Sequence, residues 1–150
     1  VTALSGGDAL QRKLKELAHD LKRGGVVRVG FLEGATYPDG TSVALVASVQ
    51  EFGSPAHNIP PRPFFRNMIA GNSADWPKTL ATLLAHNHND VELSLNQMGV
   101  VVADQLRQSI LDLKDPPNAP ATIKKKGFDD PLIDSSHLLH SVDYEVEMDK

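Results

Sequence analysis

The chain has six histidines and one lysine triplet, the side chains best suited to chemistry. His86 and His88 form a His-x-His pair. His137 and His140 stand three apart, which makes them neighbours on one helical turn. A transition-metal site would need a third ligand on the same face, and no acidic residue stands at a diagnostic spacing to either pair. His86 and His88 also lie in a polar, asparagine-rich stretch. A solvated surface explains these histidines better than a metal-dependent enzyme, which stays a remote alternative. Ser135, Ser136 and His137 adjoin in sequence, but adjacency is not a triad and no Gly-x-Ser-x-Gly elbow is present. Helix capping accounts for these serines. Gly6-Gly7 and Gly24-Gly25 lack the spacing and the lysine of a phosphate loop. With no cysteine there is no thiol nucleophile, zinc thiolate site or disulfide framework. The carboxylates are scattered over polar faces. The expectation is a protein that is not an enzyme, with no catalytic residue, cofactor or metal ligand.

Lys124, Lys125 and Lys126 form the only basic cluster. They could meet phosphates, an acidic patch on a neighbouring subunit, or solvent. The net charge of −4 and pI near 5.8 argue against a dedicated nucleic-acid binder, which would show a basic surplus. A length of 150 residues favours one domain over 1–150. The first residues show no basic region followed by an apolar run, and no stretch is apolar enough to span a membrane. The absence of cysteine suits a reducing cytoplasm.

Residues 51–66 hold four of the ten prolines and three of the five phenylalanines. Proline fixes φ and lacks an N–H, so Ile59-Pro60-Pro61-Arg62-Pro63 is a stiff extended connector rather than a helix interior or central strand. It delivers Phe64 and Phe65 at a set place.

The elements that must hold this connector follow from periodicity. Asp8 is placed to cap a helix over 9–22, with Leu10, Leu14, Leu17 and Leu21 as its apolar stripe and Gly24-Gly25 as its stop. A strand over 26–32 puts Val27, Val29 and Phe31 on one side, and Val26, Arg28 and Leu32 on the other. A turn-rich loop over 33–40 leads to Thr41 or Ser42, either a fitting cap for a short helix through Glu51, closed by Gly53; its β-branched residues also fit a strand. Pro63 suits the first position of the next helix, with Phe64, Phe65, Met68 and Ile69 as its apolar side. Asp75 and Pro77 open another, with Leu80, Leu83 and Leu84 inward; the pattern fits either a break at 87–89 or a helix that runs through it. The longest helix runs over 90–114, about 35 Å at roughly 1.5 Å per residue. Gly99 in its middle costs about 1 kcal/mol unless something packs against it. The proline-rich segment 115–134 shows no apolar periodicity and is expected as a long loop, a candidate inter-subunit arm. Asp134 or Ser135 then caps one turn through Leu139. A final strand over 141–147 puts Val142, Tyr144 and Val146 on one face and Asp143, Glu145 and Glu147 on the other. The order predicts an α+β fold: a small antiparallel or mixed sheet, including both strands, with helices packed on one face.

Two segments together resemble a known family. Val46 to Gly53 followed by Ile59 to Arg66 is similar to the signature of neck and tail-completion proteins of long-tailed double-stranded-DNA bacteriophages. Pro116 to Gly127, then Pro131-Leu132-Ile133-Asp134 and Ser141 to Tyr144, match its second half in the same order, over roughly residues 26–146. Ser135-Ser136 stands where the family has Thr-Gly. The resemblance implies a structural virion protein assembled in the bacterial host, forming a ring of six copies that joins the DNA-filled head to the tail. It implies connector, tail-terminator or tail-tube proteins as neighbours, and packaged DNA nearby. Tail terminator, other minor tail protein and transient assembly factor are the alternatives. The residues it marks as interface or structural are Glu51, Phe52, Gly53, Pro61, Arg62, Pro63, Phe64, Arg66, Lys124, Lys125, Lys126, Gly127, Pro131 and Leu132. Arg62 is expected to pair with Glu51 or with a carboxylate across a subunit boundary, while Phe64 and Phe65 anchor the connector in the core. An acidic total fits a ring whose lumen lets DNA slide.

Overall fold

The computed structural model describes residues 7–20, 22–127 and 137–150. Pro131, Leu132 and the capping pair Asp134 and Ser135 lie outside the described residues, as does Leu21. The architecture is α+β: helices together with a two-stranded antiparallel sheet whose strands lie at opposite ends of the chain.

Strand β1 (Gly25–Phe31) pairs with β2 (Val142–Met148), with Val29 opposite Tyr144 and Arg28 opposite Glu145. Strict alternation turns Val142, Tyr144 and Val146 inward and Asp143, Glu145 and Glu147 outward, as the sequence pattern predicts. Helix α5 (Val91–Asp112) lies across the inner face. Asp90 caps it by accepting from the Leu93 N–H at 3.0 Å. Gly99 sits where the Tyr144 ring meets the helix; a Cβ there would come within 2.7 Å of the Tyr144 Cε2 atom. The glycine is the close approach that lets sheet and helix pack.

On the other elements contacting α5, α3 (Phe64–Asn72) supplies buried Phe64 and Met68, and α4 (Trp76–His86) adds half-buried Leu80 and Leu83. Helix α2 (Val43–Phe52) turns Val43 and Ala47 to the same core and resolves the helix-or-strand ambiguity; Ser42 caps it, accepting from the Leu45 N–H. Phe64, Leu106, Ile110, Val43 and Val142 are almost fully enclosed. Each such side chain contributes roughly 1.5–3 kcal/mol by leaving water. The break after α4 is a turn in which His88 and Asn89 adopt left-handed φ of 55° and 65°. A four-residue turn, α7 (His137–His140), seats Leu138 in the core just before β2.

Three expectations need correction. Helix α1 (Gly7–Asp20) starts before Asp8, which lies in its first turn instead of capping it. Its leucine stripe is largely uncovered: Leu10 and Leu14 are 62% and 58% exposed, and only Leu17 is half-buried. The proline-rich segment is not a plain loop, because Pro120–Lys126 forms α6. Pro120 takes the first helical position, where a missing N–H costs nothing, and Gly127 closes the helix with φ 83° and its N–H on the Ile123 carbonyl at 2.8 Å. Among the described residues no helix is long and apolar enough to cross a membrane.

Candidate interaction site

The connector is fastened at both ends of its run, by two different charged residues. Gly53 ends α2 with φ 75°, and a Cβ there would lie 2.8 Å from the Ile59 carbonyl oxygen and from the Pro61 nitrogen. Only glycine permits that crossing. A single 3-10 turn, Pro55–His57, and a bridge between Ser54 and Ile59 then redirect the chain into the extended prolines. Pro63 occupies the cap position of α3, one residue before the helix expected to begin there.

Glu51 is 5% exposed and points at the N-terminus of α3. Its carboxylate accepts from the Phe65 N–H at 2.9 Å, the Arg66 N–H at 3.3 Å and the Arg66 Nε at 2.7 Å. Arg66 Nη2 donates to the Glu51 backbone carbonyl at 2.9 Å. The first turn of a helix leaves N–H groups without intrahelical partners and carries positive dipole; a buried carboxylate satisfies both. Glu51 is thus a long-range cap. Its charge partner is Arg66, whose guanidinium also lies 5.4 Å from the centroid of the Phe52 ring. Phe52 itself is 68% exposed.

Arg62 is 5% exposed, and the arginine seen in an ion pair with Glu51 is Arg66. Arg62 Nη1 donates to Gln50 Oε1 at 2.9 Å, its Nε to the Pro116 carbonyl at 3.1 Å and its Nη2 to the Pro117 carbonyl at 3.1 Å. The Arg62 N–H donates to the Gln50 carbonyl at 2.6 Å. A planar fork of donors suits carbonyls that diverge in one plane, which a lysine could not match. Arg62 therefore ties residues 50–62 to the start of the proline-rich segment. Phe64 anchors the connector in the core with 0% exposure, edge-on to Phe31 at 6.2 Å; Phe65 is only partly buried.

The remaining site residues are dispersed. Lys124 and Lys125 are exposed on α6, and among the described residues neither forms an ion pair. The histidines do not gather. His137 Nε2 lies 2.8 Å from the Thr36 carbonyl, and its ring packs on Tyr37 at 4.7 Å. His88 shares a cleft of about 490 Å³ with Asp90 and Glu92, but His86 does not line it. Among the described residues no three His, Cys, Asp or Glu side chains converge as metal ligands.

A second polar arrangement escaped sequence reasoning. Arg107 Nη2 donates to the Val142 carbonyl at 2.6 Å, and Asp143 Oδ1 accepts from the Tyr144 N–H at 2.8 Å. On the outer face of the sheet, Arg28 Nη1 reaches Glu147 at 2.7 Å and Glu145 at 3.5 Å. Hydrogen bonding and charge from Glu147 first, then charge and hydrogen bonding from Glu145, raise the Arg28 pKa further above its already high ordinary value. The signal was the alternation of β2, which placed the acids on one face without saying what they meet.

No protein-family model, curated protein or solved structure matches this chain.

Proposed function

We propose that the protein is a structural subunit of the neck or tail-completion region of a long-tailed double-stranded-DNA bacteriophage, one of several copies in a ring that joins the DNA-filled head to the tail. The observation that carries this reading is the Arg62 fork. The resemblance rests on two segments more than fifty positions apart in sequence, and Arg62 binds one directly to the other through Gln50, Pro116 and Pro117. The start of the second segment is thus fastened to the first. The unit is a shaped, fastened surface element with an exposed aromatic, Phe52, held under a guanidinium at its start. Aromatic and arginine side chains together are the usual anchors of protein interfaces. In this reading Arg62 shapes the connector from within, and Phe52 with Arg66 faces a neighbouring subunit or neck protein.

The test is made on particles of a phage or prophage that encodes the chain. Peptide mass measurement of purified virions should find it at a fixed number of copies per particle, and images of intact necks should place it in a ring between head and tail. Presence in assembly intermediates but absence from finished particles would replace this reading with a transient assembly factor.

A further inference from the structure

The two-stranded sheet has two outer edges, and the chain treats them differently. Asp149 N–H donates to the Gly24 carbonyl at 2.9 Å, directly opposite in the register of the sheet. Antiparallel alternation then turns the backbone groups of Val26, Arg28 and Gly30 toward β2 and those of Gly25, Val27 and Val29 toward the open side. Among the described residues β1 has β2 as its one strand partner, and no β1 residue is buried. Its sequence, Gly-Val-Val-Arg-Val-Gly-Phe, carries no proline, no lysine and no run of charge to discourage pairing. The β2 edge is blunted over its first half, where Arg107 takes the Val142 carbonyl and Asp143 takes the Tyr144 N–H. Its second half, from the Tyr144 carbonyl to Met148, keeps groups for another strand.

We infer that the open edge of β1 receives the second half of β2 from another copy of this chain, antiparallel and in the register the molecule already uses internally. Charge selects this pairing over the other two. Two β1 strands side by side would bring two Arg28 residues together, and two β2 strands would bring together six carboxylates from two sets of Asp143, Glu145 and Glu147. A β1–β2 contact between copies instead places Arg28 between two acidic strands. Its reach to both Glu145 and Glu147 within one subunit shows that the side chain spans such a pair. The contact joins unlike surfaces, so it propagates from copy to copy and closes only as a ring. The inference rests on the ring proposed above and names the surface that would build it. It also places Asp143, Glu145 and Glu147 of every copy on one continuous sheet face.

The chain has no cysteine, so single-cysteine variants report contacts cleanly. Val26 is 48% exposed, and Glu147 stands opposite it in the register. Val26→Cys and Glu147→Cys, each checked for a native circular-dichroism spectrum, are mixed and oxidised. The expected result is a disulfide between the two variants that forms about tenfold faster than either self-linked dimer, since a non-hydrogen-bonded antiparallel pair brings opposed Cβ atoms to about 4.5 Å, within reach of the bond. Dimers formed by Val26→Cys alone would mean two-fold pairing of β1 and overturn the inference. Rings seen by microscopy without the mixed disulfide would also overturn it and leave the neck reading standing. A chain that stays monomeric and unlinked would overturn it as well, and the virion measurement above would then decide the neck reading separately.

Discussion

A carboxylate that accepts from two backbone amides and a guanidinium fixes the angle between two helices. Glu51 lies in the last turn of α2 and caps α3, so its loss leaves helix-terminal N–H groups and part of Arg66 without acceptors. Glu51→Ala should cost about 2–3 kcal/mol in urea unfolding, and Glu51→Gln about 1, because the amide keeps one acceptor oxygen. An alanine variant within about 0.5 kcal/mol of the parent would mean that water replaces the cap at no cost. Glycine substitution gives an independent check on the same bend. Gly53 and Gly34 both have positive φ, at 75° and 91°, but only Gly53 faces backbone atoms where a Cβ would stand. Gly53→Ala should therefore lower the melting temperature clearly more than Gly34→Ala, which adds only the left-handed penalty of about 1 kcal/mol. Equal shifts would show that the Ile59–Pro61 segment yields easily.

At the scale of elements, the packing of α5 on the sheet turns on one missing side chain. Ala at position 99 would favour the helix by about 1 kcal/mol, but its methyl would press into the Tyr144 ring. Gly99→Ala should thus destabilise the protein, and in a Tyr144→Ala background it should become neutral or stabilising. A double-mutant cycle of denaturation free energies measures the coupling, and additive effects would refute the contact as the reason for glycine. Long periodic elements were legible in the sequence for the same reason that they pack well. The buried residues of α5 repeat from Ser94 to Ile110, nearly five turns, and β2 alternates without a fault. Short or long-range features were not. Helix α6 has seven residues, too few for a 3.6-residue period to repeat convincingly. The amides that Glu51 caps lie 14 and 15 positions onward, beyond any local capping pattern. The leucine stripe of α1 was readable as a stripe, but periodicity reports which face is apolar, not what covers it. Arg62 shows the same limit: the Pro116 and Pro117 groups that it holds are backbone carbonyls, which no residue type announces.

For the whole molecule, the decisive quantity is where charge lies rather than its sum. The outer sheet face carries three carboxylates, Asp143, Glu145 and Glu147, against one guanidinium, Arg28, already engaged with two of them. The exposed lysines of α6 stand at its C-terminal end, where the helix dipole favours them without any partner. Non-specific DNA binding needs several lysines or arginines set along a phosphate path, each adding a salt-sensitive increment. Two exposed lysines on a short helix supply little of this, and the acidic sheet face opposes it. A duplex of about 30 base pairs should therefore show no saturable binding to the purified protein at about 150 mM salt in a fluorescence anisotropy titration. Lys124→Glu with Lys125→Glu should leave that result unchanged, while a protein contact at α6 would be lost with them. Tight binding that disappears in the double variant would make α6 a phosphate site. In the proposed ring it would also replace a lumen that lets DNA slide with one that grips it.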